Sequence, residues 1–177
     1  QLLVNLNASP YHAGKGEQRL TALQHRVREG RIPIVYVNLI GGQDELVFDG
    51  GSLVVGADGV LMQRAPFFTE GLYPVDFQTS AQKAAPIPGE VAAEQGMEEG
   101  IYQALVLAVR DYVNKNGFPG AVLGLSGGID SALTLAIAVD ALGPERVEAV
   151  LMPSRYTADM SNTDAEQEAR ALGVKYH

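Results

Sequence analysis

Five residues that are apolar apart from one glycine, Ala121–Leu125, run straight into the turn Ser126-Gly127-Gly128-Ile129-Asp130-Ser131, and a second apolar run then continues to Leu142. The first run has the length of a buried strand and the second that of a helix, over Ser131–Leu142. The same alternation predicts a strand over Val147–Met152 and a helix over Asn162–Leu172. Strand, helix, strand, helix implies a parallel sheet with right-handed crossovers. Ahead of it, "MEEGIYQALVLAVRDYVNKNG" places Ile101, Leu105, Ala108, Val109, Tyr112 and Val113 on one helical face, with acids in the first turn and Gly117 as a stop.

The earlier part of the chain has a different rhythm. Leu20, Leu23 and Val27 recur at helical spacing in "GEQRLTALQHRVREG", and Gly30 ends that amphipathic helix. "IPIVYVNLIGG" follows as a β-branched apolar run of the kind a sheet buries on both faces. "ELVFDGGSLVVGADGVLMQRA" reads as short strands separated by Asp49-Gly50-Gly51 and Asp58-Gly59, which predict a meander or hairpin. Periodicity weakens from about Ala65 to Gly100, where Ala, Pro, Gly and charge dominate. The expected organisation is a first domain over 1–80, a linker over 81–97 and a second domain over 98–177, without internal repeats.

Composition narrows the chemistry. A chain of 177 residues, 46% hydrophobic, can bury one compact core or parts of two. Its apolar runs stop well short of the roughly 18–20 residues that cross a bilayer, so no membrane partner is expected. "QLLVNLNASPYHAG" has no basic stretch before an apolar core and does not read as a signal peptide. With no cysteine there is neither a disulfide nor a thiolate ligand or nucleophile. A net charge of −8 with 13 Lys and Arg argues against nucleic acid as a partner. A small anionic ligand would need donors concentrated in one place.

The turn at 126–131 offers such donors. In a parallel sheet ligands sit at the carboxyl ends of strands, where the next helix points its unpaired N–H groups. Gly127 and Gly128 let backbone approach closely and can adopt positive φ, so successive N–H groups can form an anion-binding concavity. Ser126 and Ser131 add hydroxyls. Asp130 would repel phosphate unless a cation such as Mg²⁺ bridges the two. The plainer reading is a tightly packed strand-turn-helix in which Ser126 or Asp130 is an N-cap. The turn is neither a Walker A loop nor a dinucleotide fingerprint, since both spacings are absent.

"SGGIDS" resembles the pyrophosphate-binding loop of the ATP pyrophosphatase superfamily. Within it, "YVNKNGFPGAVLGLSGGIDSALTLAIAVDALGPERVEAVLMPSRYT" is similar to the synthetase domain of the glutamine-dependent NAD⁺ synthetase family. "NLNASPYHAGK" and "VNLIGGQDELVFDGGS" resemble the later portion of the nitrilase-like glutaminase domain that precedes it in that family. The resemblance implies an α/β protein: the end of a nitrilase-like α/β sandwich joined to the start of a doubly wound, parallel-sheet nucleotide-binding domain of the adenine nucleotide alpha hydrolase type. It also implies ATP-dependent amidation of nicotinate adenine dinucleotide (deamido-NAD) to NAD⁺ through an adenylate, with ammonia from glutamine. The implied cofactors are ATP and Mg²⁺, the partners deamido-NAD and glutamine or ammonia, the location cytoplasmic and the assembly a homo-oligomer. A GMP-synthetase-like amidotransferase and a nucleotide-binding module without turnover remain alternatives.

Carried over by position, Gly124, Leu125, Ser126, Gly127, Gly128, Ile129, Asp130 and Ser131 would bind ATP, with Asp130 as the metal partner. Arg155, in "MPSRYT", would meet nucleotide or be a solvated loop arginine. Ser9 and Lys15 match positions of the family's glutamine-binding serine and basic residue, although an exposed lysine is the commoner fate. His12 reads as structural or exposed, and Asp159, Asp164 and Glu166 as a charge bias at a helix start. The Glu, Lys and Cys set of nitrilase-like glutaminases is not found. Only two or three strands of a nucleotide domain that usually has about five or more are legible, so a piece of a longer chain is expected.

Overall fold

The computed structural model of the chain describes residues 1–81, 83–152 and 159–177, and of 159–162 the backbone alone. Two compact units are found, Gln1–Gly41 with Leu46–Ala104 and Gly42–Glu45 with Leu105–His177. The elements are β1 (Leu3–Asn7), α1 (Lys15–Gly30), β2 (Ile34–Asn38), β3 (Ile40–Gln43), β4 (Leu46–Asp49), β5 (Leu53–Val55), β6 (Leu61–Arg64), β7 (Phe77–Thr79), β8 (Ala84–Pro86), α2 (Met97–Lys115), β9 (Ala121–Leu125), α3 (Ile129–Leu142), β10 (Val147–Leu151), α4 (Asp159–Ala171) and β11 (Lys175–Tyr176). Among the described residues no helix is long and apolar enough to cross a membrane.

In the first unit the sheet order is β1-β2-β5-β6, with β1 parallel to β2 and β5 antiparallel to both its neighbours. Leu23 and Val27 of α1 pack on Ile34, Tyr36, Leu53 and Val55. Leu20, expected beside them, is only partly buried. The run over 32–42 was expected to be buried on both faces, and it is not. Ile34, Tyr36 and Asn38 are buried while Val37 is exposed, because α1 covers one side of a strand whose residues alternate. β1 was not among the strands expected; it has five residues, of which Asn5 and Asn7 are polar. Strands β7 and β8 have three residues each, too few to show a period. Residues 81–97, expected as a linker, include β8, and the Gly89, Arg64 and Ala92 N–H groups bond Met62, Glu90 and Arg64 carbonyls, so this stretch runs along β6.

The second unit holds three parallel strands in the order β11-β10-β9, with Val147 opposite Ala121 and Leu151 opposite Leu125. Leu125, Leu135, Ala138, Leu142, Val147, Ala149, Ala165 and Ala169 form one buried cluster. α2 packs by only part of the face expected. Val113 is buried and Val109 packs against the cluster as expected, but Ile101, Leu105 and Tyr112 are exposed, and Ala104 and Leu107 are buried in their place. This helix is apolar around much of its circumference, so spacing alone does not single out the face that packs.

Two contacts hold the approaches to this sheet. Arg146 donates to the Pro119 and Phe118 carbonyls at 2.9 and 3.1 Å and to Asn114 Oδ1 at 2.9 Å, and a Cβ on Gly120 would collide with the Arg146 backbone carbonyl. Asp111 of α2 accepts the Gly42 N–H at 2.7 Å and pairs with Lys115 at 3.1 Å, while Lys115 donates to the Gly42 carbonyl at 2.6 Å. Burial by itself would raise the Asp111 carboxyl, but the Gly42 N–H and Lys115 outweigh it and its pKa lies below the ordinary 3.8.

Gly120→Ala should lower stability by about 1–3 kcal/mol through overpacking against rigid backbone. Gly96→Ala, with nothing within 4 Å of its added carbon, should leave the unfolding midpoint of the intact protein nearly unchanged. For Asp111 the folded pKa is depressed, so its stabilisation is complete above the unfolded value and is lost as pH falls through the folded one. Asp111→Asn should therefore lower the midpoint at neutral pH, and the gap between variant and parent should close in acid below pH 3.8.

Candidate functional site

β9 ends at Leu125, buried under α3, and α3 begins four residues later with Gly128 in the N-cap position. Ser131 ties the intervening turn together. Its hydroxyl accepts the Ser126 N–H at 3.2 Å, donates to the Gly128 carbonyl at 2.9 Å and lies 3.0 Å from the Ser126 hydroxyl. Ser126 Oγ in turn accepts the Gly128 N–H at 3.3 Å. No side chain caps the helix, which removes the reading of Ser126 or Asp130 as an N-cap. The first N–H groups of α3 have no intrahelical partner.

Only one of the two glycines uses its conformational freedom. Gly127 has φ +76°, but Gly128 is extended at φ −94°, ψ 156°, so positive φ at Gly128 is not realised. The cap position demands extended backbone there, and the left-handed step has already been taken at Gly127. A Cβ at Gly128 would meet Ser126 Oγ at 3.4 Å, an ordinary contact.

The remaining positions surround this turn. Asp130 and Ile129 are exposed in the first turn of α3. Gly124 leaves room for the Met152 side chain, which a Cβ would approach to 2.9 Å. Leu151 lies opposite Leu125, so β9 and β10 end at one edge. Arg155 lies outside the described residues, as does the side chain of Asp159. Asp164 is exposed, and Glu166 pairs with Arg170 at 3.3 Å. Among the described residues no group of three or more His, Asp or Glu side chains could hold a metal unaided. A single carboxylate at Asp130 suits Mg²⁺, which commonly takes one or two carboxylates and completes its shell with phosphate oxygens and water.

The first unit has its own strand-to-helix turn, between β1 and α1. Lys15 opens α1 after Gly14, whose φ is +75°. It lines a cavity of about 220 Å³ with Tyr11, His12, Glu17, Asp49 and Phe67. His12 is exposed there. Ser9 is not among the cavity's lining residues: its N–H donates to Asn38 Oδ1 at 2.9 Å, and its hydroxyl accepts from Arg19 Nε at 3.3 Å. Burial and the Asp49 charge push the Tyr11 phenol above its usual 10.0. The polar set of Arg19, Asn38 and Asp49 escaped the sequence reading. A signal existed, since Arg19 stands four and eight residues before the buried Leu23 and Val27, and a charge in register with an apolar stripe needs a buried partner.

The two parts of the chain match two different family models. Residues 101–177 match the NAD synthase family model, and residues 1–86 match the carbon-nitrogen hydrolase model. The chain is 47% identical over 171 residues to the glutamine-dependent NAD(+) synthetase of Acinetobacter baylyi, covering 97% of this chain and 31% of that protein. Identity to the enzyme of that name from Xanthomonas campestris pv. campestris is 47% over 175 residues, covering 99% and 32%. In structure it is similar to glutamine-dependent NAD⁺ synthetase from Acinetobacter baumannii in complex with adenosine diphosphate, at a TM-score of 0.93 and 48% identity, over 99% of this chain and 33% of that one. Over nearly its whole length the chain is thus similar to glutamine-dependent NAD⁺ synthetases, with one family model on each of its two parts. It spans about a third of the length of the relatives it matches.

The contrast between the glycines is testable in the intact protein. Gly127→Ala should cost about 1–2 kcal/mol, the penalty of a left-handed conformation for a residue with a Cβ, and should weaken nucleotide binding. Gly128→Ala should weaken ATP binding in titration calorimetry while leaving the unfolding midpoint unchanged.

Proposed function

We propose that the intact protein converts deamido-NAD to NAD⁺ with ATP and with ammonia released from glutamine, and that this chain contributes the pyrophosphate loop and part of the glutamine site. One observation carries the reading: a serine- and glycine-built turn at the carboxyl end of β9 leads into the open N-terminus of α3. In the proposed reaction a substrate carboxylate oxygen attacks the α-phosphorus of ATP, the bond to the bridging oxygen breaks and pyrophosphate leaves. Ammonia then attacks the acyl carbon of the adenylate and AMP departs, taking the carboxylate oxygen with it.

Within that scheme Gly124, Leu125, Ser126, Gly127, Gly128, Ile129 and Ser131 form the phosphate cradle, and the hydroxyls now bonded to one another turn outward to the ligand. Asp130 would hold Mg²⁺, which when bound offsets phosphate charge. Arg155 would meet the nucleotide. In the first unit Lys15 is suited to the α-carboxylate of glutamine, and Ser9 would support the same site. The chain has no cysteine, so it does not itself contain the thiol on which nitrilase-like glutamine hydrolysis depends. The carbon-nitrogen hydrolase match over residues 1–86 favours this reading over a GMP-synthetase-like one. Domain limits of 1–80 and 98–177 with a connector between them, a cytoplasmic location and homo-oligomeric assembly belong to the same proposal.

Asp130→Asn in the intact enzyme should reduce adenylation by about 10²–10³, the cost of removing one electrostatic stabiliser, whether glutamine or ammonia supplies nitrogen. Pyrophosphate release in the presence of deamido-NAD measures it. Unchanged turnover with both nitrogen sources would remove Asp130 from the phosphate site.

A further inference from the structure

Arg19 is placed as no ordinary core residue is. Its side chain and that of Asp49 are only 6% and 4% exposed, and the two form a bidentate pair at 2.7 and 2.8 Å. The pair does not exhaust the guanidinium. Nε donates to the Ser9 hydroxyl at 3.3 Å, and an Nη reaches the Ser9 and Pro10 carbonyls at 2.9 and 3.3 Å. Asn38 closes the same turn from the sheet side, donating to the Ser9 carbonyl at 3.2 Å and to Asp49 at 3.4 Å. Beyond Pro10 the Tyr11 N–H bonds the Val47 carbonyl at 2.7 Å, and the chain then enters α1 at Lys15. Lys15 and Arg19 are four residues apart on one helix, so they share a face. Lys15 and Asp49 both line the cavity of about 220 Å³, and Arg19, bonded to Asp49, grips the turn that leads into it.

We infer that the Arg19–Asp49 pair is a positioning device for glutamine: it locks the Ser9–Lys15 turn in the shape that presents Lys15 and Tyr11 to the amino-acid head group. This rests on the proposed reading of Ser9 and Lys15 as part of the glutamine site. The chemistry explains why arginine stands there. A buried ion pair alone contributes little net stability over an apolar substitute. Only a planar fork with five donors can hold a carboxylate with one edge and two carbonyls and a hydroxyl with the rest. Lysine could keep the charge pair but would release the turn.

The test uses the intact enzyme and two variants, Arg19→Lys and the double variant Arg19→Met with Asp49→Leu, which replaces the buried pair by apolar volume. Each is assayed with glutamine and, separately, with ammonia as nitrogen donor, beside Ser9→Ala and Lys15→Ala. The expected result is a KM for glutamine raised by about tenfold or more, the scale of a lost positioning hydrogen bond or two, with ammonia-driven turnover unchanged in both Arg19 variants. Lys15→Ala should raise the same KM. A glutamine KM unmoved by either Arg19 variant, while Lys15→Ala raises it, would overturn the positioning role and leave the glutamine site standing. If Ser9→Ala and Lys15→Ala also leave it unmoved, the site reading falls and the inference with it. Equal losses with glutamine and ammonia in both Arg19 variants would reduce the pair to a structural one.

Discussion

Where a parallel strand hands the chain to a helix, backbone groups leave the ladder before the helix can take them up, and each must find another partner. Both halves of this chain depend on how that gap is filled. Between β9 and α3 two serine hydroxyls do it, one accepting the Gly128 N–H and the other the Ser126 N–H while donating to the Gly128 carbonyl. Between β1 and α1 a guanidinium does it, donating to the Ser9 and Pro10 carbonyls.

The choice of partner suits the task proposed for each turn. Hydroxyls rotate at small cost, so a loop closed by them can exchange its internal bonds for bonds to phosphate oxygens without unfolding the strand or helix beside it. A buried bidentate ion pair does not exchange: removing either member strands a charge in the interior. The first arrangement fits a site that must take up and release a polyanion. The second fits one that must hold a fixed outline.

Much of this was legible in the residues. The apolar run of β9, the apolar helix after it and the polar turn between them declare a strand-turn-helix. The parallel direction of β9 and β10 follows from such a strand-helix-strand unit. Cysteine content bounded the chemistry outright. The loop residues from Gly124 to Ser131 and the pair Ser9 and Lys15 could be named from short-range pattern and resemblance, because backbone approach and anion binding require specific residue types at adjacent positions.

What pattern could not reach was whatever depends on residues distant in the chain. Gly127 and Gly128 look alike in a string of letters, and only the geometry of the cap assigns positive φ to one and extended backbone to the other. α2 is apolar on several sides, so the neighbours it meets decided that Leu107 is buried and Leu105 is not. The pairing of Arg19 with Asp49 spans thirty positions, and nothing local to either residue names the other. Local sequence determined the longer strands and helices and the serine- and glycine-built turn between β9 and α3, since those depend on backbone sterics and periodic burial over a few residues. Tertiary structure alone decided which face packs, which glycine takes positive φ and which charges meet, because burial makes an unpaired group costly only once the chain has folded around it.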